Sequence, residues 1–237
     1  LYIITVKQGE KAMLILSLII MAVSWAVQAR LKNRFRTYAM TPLSSGMSGA
    51  EIAHKMLIDN RIYDVEITCV PGQLTDHYNP TDKTINLSEE VFYGRNAAAA
   101  AVAAHETGHA VQHATAYSFL EMRSKLVPVV SFASNWVTWI LLAGIFLMQV
   151  TPLPLYIGVG LFAMITLFSI ITLPVEFDAS NRAVQWLHNA RIVNREEYGM
   201  AKDALWWAAM TYVVAAIGSI ATLLYYVMML FGGRNDD

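Results

Sequence analysis

The hydrophobic pattern divides the chain into long apolar blocks and a patterned polar middle. Four charge-free stretches, 12–29, 126–150, 153–173 and 205–231, approach or exceed the roughly 20 residues a spanning helix needs. No charge occurs anywhere in 126–175, and only Thr151-Pro152 interrupts it between the second and third stretches. That interruption predicts an antiparallel helical hairpin. Pro128 is expected in the first turn of its helix, where its missing N–H costs little. Asn135, well inside the same span, is expected to bond to a neighbouring helix.

Residues 37–96 follow shorter periods and predict a small α+β unit. Ser48-Gly-Ala-Glu51 has capping-box spacing and opens an amphipathic helix through Ile52, Ala53, Met56 and Leu57, ending near Asn60. Alternation over 64–70 predicts a strand with Cys69 on its buried side. Pro71-Gly72 marks a turn, 74–78 a second strand and 83–87 a third. Ser88 is expected to cap a helix carrying Glu89 and Glu90 in its first turn. After Asn96 comes an almost pure alanine run, 97–104, the best helix-forming composition and one that lets neighbours approach closely.

Composition sharpens the membrane reading. Hydrophobic residues make up 56% and charged residues 15%, against about 45–50% and about 25% in soluble domains. The mean hydropathy is +0.41. The fold class expected is a mainly α membrane protein with about four transmembrane helices and a small cytoplasmic α+β segment. A net charge of −1 gives no basic stripe, so no nucleic-acid partner is expected. One cysteine, Cys69, rules out an internal disulfide framework.

Charge asymmetry orients the spans. Arg30, Lys32, Arg34 and Arg36 follow the first stretch at once, favouring an uncleaved anchor with its C-terminal end in the cytoplasm over a signal peptide cut after Ala29. A chain opening on Leu1 leaves room for residues upstream. Counting on from that anchor places every Lys and Arg except Lys7, Lys11 and Arg234 on the inner face. The organisation expected is a tail and first anchor (1–36), a cytoplasmic α+β segment (37–125), a transmembrane hairpin (126–173), a cytoplasmic helix (174–204) and a last span with its tail (205–237). A rival reading makes 97–120 a fifth span.

The alanine helix continues into His105-Glu106-Thr107-Gly108-His109, an H-E-x-x-H pattern. Histidines four apart share a helical face, so both imidazoles reach one Zn²⁺, while Glu106 projects nearby as a general base. A catalytic zinc normally takes three protein ligands and keeps one position open. His113 is a poor third: His105 and His113 are about 12 Å apart along a helix. Its expected role is beside the ligands, in the substrate wall or in packing. Glu176 is the better candidate. It ends the uncharged run just after Pro174, which is expected to start a helix there. An interfacial charge is the plainer reading of Glu176; a His₂Glu set favours the ligand.

These residues resemble a family. His105-Glu-Thr-Gly-His-Ala-Val-Gln-His113 and, far downstream, Leu173-Pro-Val-Glu-Phe-Asp-Ala-Ser180 look like the bacterial membrane-bound neutral zinc metallopeptidases. The likeness extends over Leu74-Thr-Asp-His-Tyr-Asn-Pro80, Asn86-Leu-Ser88 and Arg123-Ser-Lys-Leu-Val-Pro128. It is more distant to the heat-shock and prenyl-protein membrane gluzincins. The resemblance implies His105, His109 and Glu176 as ligands of one Zn²⁺ per chain and Glu106 as catalytic acid/base. The distant relatives carry Asp four residues after the ligand Glu; here that residue is Ser180. Asp178, at +2, lies on another helical face, so Ser180 or Asp178 is expected to replace their His–Asp contact only in part.

The function expected is a membrane-embedded, zinc-dependent endopeptidase acting on peptide or protein substrates, membrane proteins among them, with its site on the cytoplasmic side of the cell membrane. Tyr78, His77, His188 and Tyr198 are candidate second oxyanion donors. His77 and Tyr78 lie on a short strand, beside Asp76, that could offer an open edge to an extended substrate. The alternative is a non-catalytic zinc-binding membrane scaffold or chaperone, which needs a fourth protein ligand that the sequence does not supply.

Overall fold

The structure, a computed structural model, describes the backbone of residues 2–148 and 150–232 and the side chains of residues 14–148 and 150–231. Lys7, Lys11 and Arg234, used above to orient the chain, lie outside the described side chains. The elements run α1 (Tyr2–Ala39), α2 (Gly49–Asp59), β1 (Glu66–Val70), β2 (His77–Asn79), β3 (Thr84–Ser88), α3 (Glu89–Phe92), α4 (Ala97–Ala114), α5 (Ser118–Leu147), α6 (Leu153–Asn189) and α7 (Arg195–Gly232). Among the described residues, four helices are long and apolar enough to cross a membrane: α1 over Leu14–Ala39, α5, α6, and α7 over Arg195–Phe231. The protein is thus a mainly α membrane protein with a small three-stranded sheet. Among the described residues α4 is not one of the four.

The chain forms two compact units, one from residues 1–26, 122–172 and 211–237, the other from 27–121 and 173–210. In the first, the α5–α6 hairpin is held by close backbone approach. A Cβ on Gly144 would fall 2.6 Å from the backbone of Leu155, and one on Gly158 would fall 2.7 Å from Leu141 Cδ2. Val137, Leu141, Leu155 and Val159 form the small buried cluster there. Thr166 and Ser219 share a hydrogen bond of 2.8 Å between α6 and α7. Lipid tails are as apolar as leucine, so small residues and polar links are what hold such helices together. Large apolar side chains such as Trp136, Trp139, Phe146 and Met228 remain exposed.

The second unit is built on α4. Ser48 accepts from Glu51 N, and the Glu51 side chain returns to Ser48 N, completing the capping box of α2. Asn96 caps α4 by accepting from Ala99 N at 2.9 Å. The sheet order is β1-β3-β2, with β1 parallel and β2 antiparallel to the central β3. Ala97–Ala101, Ala103 and Ala104 are all buried, packed with Ile52, Met56, Ile85, Leu87, Ala183 and Leu187. Gly108 faces α6, where a Cβ would meet the carbonyl oxygen of Ala179 at 2.7 Å.

Several expectations need correction. Pro128 lies inside α5 and Pro174 inside α6, neither in a first turn. Absence of charge marks the apolar part of a helix rather than its ends: α5 starts at Ser118 and takes in Glu121, Arg123 and Lys125, and α6 runs unbroken past Glu176. Cys69 is exposed rather than buried, because β1 is an edge strand that leaves the core beyond Ile67. Asn135 is exposed on α5 instead of buried against a neighbour. Ser88 makes no side-chain cap on α3, since its hydroxyl turns to Asp76. The short second strand is displaced, from 74–78 to His77–Asn79.

Gly108 generates the first prediction. Replacing glycine by alanine inside a helix normally gains about 1 kcal/mol. At Gly108 the new methyl would meet backbone that no rotamer change can move, and overpacking of this kind costs about 1–3 kcal/mol. Gly108→Ala should therefore lower the unfolding temperature of the detergent-purified protein. An unchanged or raised value would show that α4 and α6 are not in this contact.

Candidate active site

Helical geometry sorts the side chains of α4. At about 100° per residue, His105, Gly108, His109 and Gln112 fall on one face, while Glu106 and His113 fall on an adjacent one. The first face meets α6. There Glu176 Oε2 lies 3.3 Å from His105 Nε2 and 3.7 Å from His109 Nε2. The two imidazole rings stand at 80° with centroids 4.8 Å apart. One donor atom from each of His105, His109 and Glu176 can be chosen so that all lie within 4.8 Å of one another, an arrangement that could hold a metal ion. Glu176 is 2% exposed and His109 7%. Burial opposes charge on His109, but the facing Glu176 carboxylate outweighs it and raises the imidazole pKa above its ordinary value.

The outer nitrogens of both rings are engaged elsewhere, which leaves Nε2 of each directed at Glu176. Ser180 Oγ lies 3.2 Å from His105 Nδ1. Gln112 Oε1 lies 3.0 Å from His109 Nδ1. This is the outer support that metal-binding histidines ordinarily have, and two imidazoles with one carboxylate form a donor set suited to zinc. Gln112 was not among the sequence candidates. Its position seven residues after His105 put it on the right face, but nothing local to α4 names its partners on α6.

The second face of α4 meets β2. Tyr78 N donates to Glu106 Oε2 at 3.0 Å, fixing a carboxylate that is only 9% exposed. Tyr78 Oη and His113 Nδ1 share a hydrogen bond of 2.7 Å. Burial, with a smaller push from Asp64, raises the Tyr78 phenol to about 12, so it stays protonated. His113 thus stands beside Tyr78, away from the donor cluster.

The remaining candidates are spread more widely. Asp76 is committed to structure, accepting from Ser88 N at 2.8 Å and Ser88 Oγ at 3.0 Å. His77 is exposed and donates from Nδ1 to Thr75 O. Asp178 accepts from Gln112 Nε2 at 2.8 Å and pairs with Arg182. His188 and Tyr198 meet edge to face, with ring centroids 5.2 Å apart, and line a separate cavity with Asn189, Arg191 and Arg195. His188 is twelve residues past Glu176 on α6, roughly 18 Å along the axis, too far to serve the same reacting group.

With the geometry established, comparison with known proteins gives a consistent picture. Residues 13–231 match the family described as "Putative neutral zinc metallopeptidase". The chain is similar to "Putative membrane protease YugP" of Bacillus subtilis (strain 168), with 42% identity over 223 residues, 94% of this chain and 98% of the relative. No solved structure matches it. A family match over nearly the whole sequence, carried by a chain whose two histidines and glutamate converge as zinc ligands would, places this protein in the neutral zinc metallopeptidase family.

Proposed function

We propose that the protein is a zinc-dependent endopeptidase, with one zinc per chain held by His105, His109 and Glu176 and with Glu106 as general base. The observation that carries this reading is the convergence of the three donor residues beside a carboxylate held on the next face of the same helix. Zinc in such a site lowers the pKa of water to about 7 and polarises a carbonyl. Glu106 takes a proton from the attacking water and returns it to the leaving amine. The Tyr78 amide holds one carboxylate oxygen, Oε2, and so directs the carboxylate.

The substrate is an extended peptide segment, in a soluble or membrane protein. β2 pairs with β3 on one side only, and Tyr78 spends its amide on Glu106. The unpaired edge of β2 therefore borders the Glu106 carboxylate, where an added strand would bring a peptide bond to the base. His77, exposed on the same strand, is placed to touch such a substrate. The site faces the cytoplasm, on the strength of the cationic run at Arg30, Lys32, Arg34 and Arg36 after the first span.

Two substitutions separate base from ligand. Glu106→Gln should keep its zinc and its fold, yet lose casein cleavage by about 10²–10⁴-fold, the usual contribution of general acid–base catalysis. Glu176→Gln should lose zinc first and activity with it. Bound metal and turnover, measured on both proteins in mild detergent, check this. A Glu106→Gln variant as active as the wild type would dismiss the mechanism.

Sidedness is tested by single cysteines at Lys83 and Arg195. Cys69 is exposed, so it is first replaced by serine. Neither new cysteine should react with an impermeant maleimide in intact cells, and both should react after permeabilisation. Labelling of either in intact cells would reverse the orientation.

A further inference from the structure

We infer that Gln112 is a positioning residue that fixes the tautomer of His109 and ties it, through Asp178, to Arg182. The inference rests on the reading of His109 as a zinc ligand given above. Gln112 is fully buried, and every polar atom of its side chain is accounted for. Nε2 donates to Val175 O at 2.8 Å and to Asp178 Oδ2 at 2.8 Å. Both partners are acceptors only, so the amide cannot be turned the other way without setting its oxygen against two oxygens. The oxygen must therefore face His109, where it lies 3.0 Å from Nδ1. An amide oxygen accepts and cannot donate. His109 Nδ1 must carry the hydrogen, and the lone pair of the ring falls on Nε2, the atom directed at Glu176.

The chain of contacts continues outward. Asp178 is held by Arg182 one turn further along α6. The Arg182 guanidinium lies over the Tyr117 ring, 5.8 Å from its centroid. Tyr117 follows α4 directly, and its amide donates back to Gln112 O at 2.9 Å. The arrangement is a closed loop that begins and ends at Gln112 and locks the end of α4 to α6. Asp178 is prevented from reaching His109 itself by its place at +2 from Glu176, on another helical face. Gln112 covers that gap and converts a distant carboxylate into a neutral acceptor at the ring.

A glutamine that merely braces α4 against α6 would act through its two donated bonds. A positioning residue acts through its accepted one. Gln112→Glu combined with Asp178→Asn separates these. The glutamate oxygen still accepts from His109 Nδ1, and the new asparagine amide donates where Asp178 used to accept, but the bond to Val175 O and the pairing with Arg182 are lost. Gln112→Leu removes everything. The full-length proteins would be purified in detergent, and zinc affinity measured by chelator competition. Visible spectra of the Co²⁺-loaded forms would report the ligand field directly. Gln112→Leu should bind zinc about 10–100-fold more weakly, the usual cost of losing such a partner, with an altered Co²⁺ spectrum. The double variant should stay within a few-fold of wild type with the wild-type spectrum.

Wild-type zinc affinity in Gln112→Leu, or a double variant as weak as Gln112→Leu, would overturn the assignment. Failure of the wild-type chain to bind either metal would instead overturn the zinc-site reading on which it rests.

Discussion

The site depends on how closely α4 and α6 approach. Ala179 O would lie 2.7 Å from a Cβ at Gly108, a separation only glycine permits without movement. The small residues around it serve the same end: Ala103, Ala104, Ala179 and Ala183 are all fully buried. Glu176 sits three residues before Ala179, so the contact that fixes Ala179 against Gly108 also fixes the carboxylate against the two imidazoles. A bulkier seam would carry Glu176 away from Nε2 of both rings. The alanine run is thus more than a helix-forming sequence, since it determines the depth at which α6 is seated.

That seat has a cost, because it buries polar groups among alanines. Unpaired, each would lose a free energy of about 1–3 kcal/mol or more if charged. The structure answers with specific partners. Glu106 takes the Tyr78 amide, His109 takes Gln112, His105 takes Ser180, and Gln112 takes Val175 O and Asp178. Glu176 Oε2 faces the Nε2 atoms of His105 and His109 at 3.3 and 3.7 Å. Every outer contact is satisfied by protein, and the inner ones converge on a place suited to a cation.

Much of this was legible in the sequence where the signal is local. The capping box of α2, the alanine helix, the hairpin at Thr151-Pro152 and the grouping of His105 with His109 all follow from spacing within one element. Glu176 was reachable because a lone carboxylate at the end of a long uncharged run is conspicuous. What escaped depends on tertiary placement. Pro128 and Pro174 were misread as helix starts because charge reports the bilayer and not the helix end. Cys69 was misplaced because the short sheet's edges cannot be known before the strands pair. Ser180 was expected to stand in for an aspartate only in part. It does meet His105, but the acidic group of the pair is Asp178, reached through a residue on the other helix.

Gln112 and His113 show why adjacency in sequence says so little about role. They are neighbours, yet about 100° of helical rotation separates them. One turns to α6 and meets His109; the other turns to β2 and meets Tyr78. The same rotation separates His105 from Glu106, and with the same division: the imidazole faces Glu176 while the carboxylate faces the Tyr78 amide. One helix therefore presents one side to Glu176 and another to β2, along two parallel seams. The first is closed by α6 and needs small residues. The second is bordered by the open edge of β2 and needs a backbone donor. A helix packed on both sides must keep both neighbours in register at once, and so Gly108, against Ala179 O, and Tyr78, against Glu106, are as constrained as the histidines.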